Sequence, residues 1–151
     1  MSHAPLAPQA HARLDDLERA MLAHLPVVDQ PVEHLFLPGL YVRRIFNPAG
    51  SLIVTKVHKT RHPFFLLSGA MSVRHVDGTV TRLTAPHHGV TEPGTRRVIF
   101  AHTDCVFVTV HPNPDDGTDL DAIEARLIER RELEPGVSSY ELYEARLREA
   151  A

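Results

Sequence analysis

Cysteine and tryptophan are nearly missing from this sequence: one cysteine, no tryptophan and three tyrosines stand among 151 residues. With Cys105 alone, no disulfide can form within the chain, which fits a reducing compartment. No apolar stretch approaches the roughly 20 residues that a membrane helix needs, so no membrane partner is expected. Met1 to Gln9 carries no positive region followed by an apolar run, so no signal peptide is expected and the expected location is cytoplasmic. Charge of one sign is lacking too. The formal net charge is −3 with both signs intermixed, and without a basic stripe no nucleic-acid partner is expected. Apolar residues make up 43% and charged residues 23% of the chain. This is ordinary globular composition at the length of one domain.

Histidine is what the chain has in excess, with eleven residues and no tag-like tract. They are spread over a pattern of three texture changes. From about Ala10 to Leu25, Leu14, Leu17, Met21 and Leu25 recur at helical spacing until Pro26 stops them, predicting an amphipathic helix near 10–25 packed on the body or on a partner subunit. From 35 to 112, short runs rich in Val, Ile, Phe and Thr predict strands: Leu40–Phe46, Ser51–His58, Phe64–Leu67, Ala70–His75, Val80–Leu83, Arg96–Ala101 and Val106–Val110. Asp77-Gly78 is the clearest hairpin turn. Many short strands with no helix between them argue for an antiparallel all-β barrel or sandwich. After Pro112 helical spacing returns. Thr118 is placed to cap a helix near 119–131, with Leu120, Ile123, Leu127 and Ile128 as its apolar face. Ser138 with Glu141 has capping-box spacing for a last helix near 139–148. The expected organisation is one domain: an arm and helix over 1–34, the β region over 35–112 and helices over 113–151. Residues 1–8 are Pro- and Ala-rich and expected to be mobile.

The informative segment is Gly50–Gly69, GSLIVTKVHKTRHPFFLLSG. It resembles the first motif of the cupin superfamily: Gly, five residues, His, one residue, His, three or four residues, Glu, six residues, Gly. Here the four chemical positions are Lys56, His58, His62 and Gly69. The spacing matches, but Lys56 stands at the first His and His62 at the Glu. The segment Pro86–Ala101 resembles the second motif more loosely, with Glu92, Pro93 and Gly94 in its turn and Arg97 at its His. Phrases such as LPGLYVRRIFNPAG and VTVHPNPDDGTDLDAIE are similar to small cupin-like proteins of phages and prophages. The resemblance implies a mainly β fold, a cupin jelly-roll β-barrel with flanking helices, with Lys56, His58, His62 and Arg97 converging inside it. It also implies a homodimer.

Two chemistries fit those residues. His58 and His62 are good donors for a divalent Zn, Fe, Mn or Ni ion, and His102 or His111 offers a third. Against a metal stand Lys56 and Arg97, because unit charges about 4 Å apart at an effective dielectric near 20 interact by about 4 kcal/mol. Without a metal, the same cations suit a small anionic ligand, with Arg97 as a bidentate clamp and a histidine as acid or base. Three functions follow: a small-molecule-binding cupin; an enzyme, either a metal-dependent oxygenase or isomerase or one resembling the metal-free sugar-nucleotide epimerases; or a non-catalytic phage-type accessory or assembly protein. The plainer readings make His102 a turn residue, His87-His88 an exposed loop pair, Arg96-Arg97 a surface pair, Phe64 and Val108 pocket wall and Cys105 an inert thiol. His58 and His62 are expected to add nothing to core packing.

Overall fold

The computed structural model describes residues 7–151; the first part of the Pro- and Ala-rich arm lies outside the described residues. Its elements run α1 (Pro8–His24), β1 (Val32–Leu37), β2 (Leu40–Asn47), β3 (Leu52–Val54), β4 (His62–Ser68), β5 (Ala70–Arg74), β6 (Val80–Thr84), β7 (His87–Thr91), β8 (Val98–Ala101) and β9 (Cys105–Pro112). There follow α2 (Leu120–Leu127), β10 (Glu132–Glu134), β11 (Val137–Ser138) and α3 (Ser139–Ala150). All pairings are antiparallel, in a five-stranded sheet β1-β2-β9-β4-β7, a four-stranded sheet β3-β8-β5-β6 and a small pair β10-β11.

The two larger sheets face each other across a shared core. Leu66 comes from one, Met71, Val73 and Ala101 from the other, and Cys105 closes the cluster, with Leu83, Ile99 and Phe107 packed against it. Fully burying side chains such as Leu66 and Met71 contributes about 1.5–3 kcal/mol each. Gly69, the closing glycine of the first motif, turns β4 into β5 at φ +90°; a Cβ there would collide with the Asp104 carbonyl oxygen. Only glycine fits both the backbone angle and the space. The expected Asp77-Gly78 hairpin joins β5 and β6, with Gly78 at φ +88° and the Thr79 amide donating to Asp77 Oδ1 at 2.9 Å.

Several sequence expectations are corrected. The first strand begins at Val32, before the expected start of the β region at 35. His87 and His88 lie in strand β7 rather than in a loop, because residues 87–91 pair with β4. The cap of α2 is Asp119, whose side chain accepts from the Asp121 and Ala122 amides, and not Thr118. The capping box at Ser138 and Glu141 is formed as read. Helix α1 half-buries Leu14, Leu17 and Met21, but its most buried contacts are polar. Its buried residues are His11 and Asp15, and Leu25 is exposed. The reason is Arg96, only 3% exposed, which is therefore no surface residue. Arg96 Nη1 donates to Asp15 Oδ1 at 2.6 Å, Arg131 Nη2 reaches Asp15 Oδ2 at 2.8 Å, and Arg96 also pairs with Glu18. A guanidinium this buried needs carboxylates, and α1 supplies them.

The β registers order the inner face of the large sheet in rungs. One holds Tyr41 beside His111, with His62 beside Thr91. The next holds Arg43, Thr109, Phe64 and Gly89, and a third holds Ile45, Phe107, Leu66 and His87. The third rung belongs to the apolar core and the first carries the polar chemistry.

Candidate metal centre

Three histidines meet on the first rung. His62 opens β4, His111 ends β9, and His58 arrives from the segment after β3. That segment leaves the sheet at Val54 and is pinned instead to the end of α2. The Lys59 amide donates to the Leu127 carbonyl at 2.8 Å, the Glu129 amide to the Val57 carbonyl at 2.9 Å, and His58 bridges Ile128. Buried Ile123 and Leu127 hold α2 against Tyr41, and Tyr41 stacks on His111 with ring centroids 5.9 Å apart. The site is thus walled by the sheet on one side and by α2 on the other.

One nitrogen from each of His58, His62 and His111 lies within 4.8 Å of the others. Ring centroids stand 4.4 Å apart for both His58–His62 and His62–His111. His62 Nδ1 lies 3.0 Å from the Thr60 carbonyl. A carbonyl only accepts, so Nδ1 carries the proton and Nε2 presents a lone pair. His111 Nε2 lies 2.9 Å from Thr109 Oγ1; in the tautomer that donates to that hydroxyl, Nδ1 carries the lone pair. The two remaining nitrogens, His62 Nε2 and His111 Nδ1, are both buried without a hydrogen-bond partner.

Burial pushes His58 down to about 3, helped by its histidine neighbours and by Arg43 and Arg97; His111 is pushed to about 3 by burial, His62 and Arg43. Burial also lowers His62, against the opposing Thr60 hydrogen bond. All three rings are therefore neutral near pH 7, the form that ligates metals. Orphaned lone pairs on neutral, converging imidazoles fit a divalent ion.

The other residues expected at the site divide. Arg97 faces it: Nη2 donates to Thr91 Oγ1 at 3.2 Å and the guanidinium lies 5.9 Å from the centre of the Phe64 ring. Lys56 turns away. Strand alternation, which would have set Lys56 and His58 on one face, ends with β3 at Val54, and Lys56 Nζ instead donates to Ser139 Oγ at 2.7 Å on α3. Burial lowers its pKa, with Glu18 and Glu124 opposing. His102 is also apart from the cluster. It is exposed in the bend after β8 and lies 2.6 Å from Ser72 Oγ, in keeping with its reading as a turn residue. Val108 is not pocket wall, because it alternates outward between Arg44 and Phe65. His62, at 2% exposed, belongs to the packed interior, against expectation.

Arg43 escaped sequence reasoning. It sits one rung below Tyr41, burial lowers its pKa, and among the described residues it takes part in no ion pair or side-chain hydrogen bond. Its only signal in the sequence was its place two residues after Tyr41 in a strand, on the same face.

No family model matches the sequence, and no curated protein matches it. Solved structures do. Ectoine synthase from P. lautus is 14% identical over 69% of this chain and 79% of its own, with a TM-score of 0.53. A cupin-2 domain containing protein from Shewanella frigidimarina is 12% identical over 64% of this chain and 92% of its own, with a TM-score of 0.46. An uncharacterized conserved protein with a double-stranded β-helix domain from Klebsiella pneumoniae is 20% identical over 59% and 76%, with a TM-score of 0.49. The fold is of the cupin type, mainly β with antiparallel sheets and flanking helices. These identities speak for the fold alone, and the phage-type resemblance gains no support from them. Among the described residues no helix is long and apolar enough to cross a membrane.

Proposed function

We propose that the chain is a metal-binding cupin in which His58, His62 and His111 hold one divalent ion of the Zn, Fe, Mn or Ni class. The observation that carries this is the pair of buried, partnerless nitrogens on His62 and His111, with a nitrogen of each of the three histidines lying within 4.8 Å of the others. Three neutral imidazoles would leave a bound ion its full charge, and the ion would supply Lewis acidity toward an oxygen ligand. His111 takes the place that Lys56 cannot fill. Arg97 and Arg43 stand beside the triad, and no carboxylate figures among the charges acting on its rings. A small anion is therefore the ligand class the interior favours, held by Arg97. Titration with Co²⁺ followed by visible absorption tests the metal reading. Saturation at about one equivalent is expected, with no saturation in His111→Ala; identical spectra in the two proteins would overturn the reading.

We also propose a homodimer through the outer face of the five-stranded sheet. That face carries Leu35, Phe46, Phe65, Leu67 and Val90, all exposed. The register sets them in contiguous rows, Leu35–Val42–Val110 and Arg44–Val108–Phe65–His88. Exposed apolar side chains in adjacent rows, edged by Arg44 and His88, mark an interaction site.

A further inference from the structure

A second cavity, of about 460 Å³, lies outside the triad between α1, α2 and α3. Its charged lining is mostly self-neutralised. Glu18 pairs with Arg96, Glu129 with Arg131, and Glu141 with Arg130. Two half-buried charges on its walls are left over. Lys56 takes part in no ion pair, and its only hydrogen bond among the described residues goes to Ser139 Oγ, so two of its three N–H donors have no protein partner. Ser139 is itself 7% exposed and, having accepted from Lys56, keeps its own O–H to donate. Glu124 also takes part in no ion pair or side-chain hydrogen bond among the described residues; Glu18, already paired with Arg96, and then Glu124 act on Lys56 through space. Opposite charges thus line one cavity without touching. An unpaired charge out of bulk water is costly, and Lys56 Nζ is hydrogen-bonded to Ser139 Oγ rather than to a carboxylate.

We propose that this cavity binds a small zwitterion, an amino carboxylate, with its carboxylate on Lys56 Nζ and Ser139 Oγ and its ammonium on Glu124. A plain anion meets Glu124, Asp121 and Glu144 on the walls. A plain amine meets Lys56. A ligand carrying both charges satisfies both walls, and the Tyr140 ring, 5.7 Å from Lys56 Nζ, gives its methylenes an apolar side. The cavity volume suits an amino-acid-sized molecule. The site shares no residue with the triad, so it stands or falls separately from the metal reading.

The test is calorimetric titration of the whole chain with the ω-amino acids from glycine to 5-aminopentanoate, with butyrate and butylamine as single-charge controls. Saturable binding of at least one ω-amino acid is expected, with both controls at least about tenfold weaker. Lys56→Met and Glu124→Gln should each weaken the bound ω-amino acid by about tenfold or more, and dialysis against EDTA should leave it unchanged. Lys56→Met removes an unneutralised charge, so its melting temperature should not fall. Should it nevertheless fail to fold, Glu124→Gln, a near-isosteric change at a half-buried position of α2, decides alone. The absence of saturable heat for every ω-amino acid up to about 10 mM, equal binding of the controls, or unchanged binding in Glu124→Gln would overturn the proposal.

Discussion

At the scale of single residues, the site turns on where ring nitrogens point. His62 serves two roles: its Nδ1 is fixed by the Thr60 carbonyl, and its ring is 2% exposed against its neighbours. His62→Ala should therefore lose the metal and also lower the stability of the metal-free protein, by about 1–3 kcal/mol, measured by urea unfolding in EDTA. Unchanged urea midpoints would show that the ring packs nothing. His102→Ala, by contrast, removes only an exposed ring beside Ser72 and should leave metal content as in the unmutated chain. The spacing of Gly50, His58, His62 and Gly69 made two of the three histidines legible in the sequence. His111 was legible only as one of two alternatives, because its place depends on β9 lying beside both β2 and β4, a pairing between distant segments. Lys56 was misplaced for a local reason. Alternation holds only inside a strand, and β3 ends before reaching it.

At the scale of elements, α1 shows how a polar contact overrides an apolar pattern. Leu14, Leu17 and Met21 recur at helical spacing, yet the anchor is Asp15 between Arg96 and Arg131. Burial pushes the Asp15 carboxyl up, but the hydrogen bonds from Arg131 and Arg96 outweigh it and hold the group below its ordinary value. A depressed carboxylate contributes stability that is fully present above the unfolded value near 4 and is lost as pH falls through the folded one. Asp15→Asn should cost about 3 kcal/mol at pH 7, and the gap between variant and parent in chemical denaturation should close below about pH 4. A gap independent of pH would assign the cost to packing instead. The capping box of α3 was legible because it is written in four consecutive residues. The ion pair of α1 was not, because Asp15 and Arg96 lie 81 residues apart in sequence. Strands β1 and β7 were missed for the same reason, since each depends on a partner strand more than on its own apolar content.

At the scale of the whole molecule, the fold places two kinds of surface on opposite sides of one sheet. The inner face carries the histidines and the core. The outer face carries exposed Leu35, Phe65 and Leu67. Light scattering should give twice the chain mass at micromolar concentration, and Phe65→Glu with Leu35→Glu should give a single chain with the triad intact. A parent chain that stays monomeric at high micromolar concentration would remove the dimer from the account. The β region, its hairpin and the cupin frame were all legible in the sequence. The cavity beside α3 could not, because it is enclosed by three helices whose docking no local pattern specifies.

The central claim is that three neutral histidines hold one metal ion. Elemental analysis of the purified, dialysed chain tests it most directly. About one divalent transition-metal ion per chain is expected, falling to background in His62→Ala and in His111→Ala. Background metal in the parent chain, after incubation with each of Zn²⁺, Fe²⁺, Mn²⁺ and Ni²⁺, would contradict it.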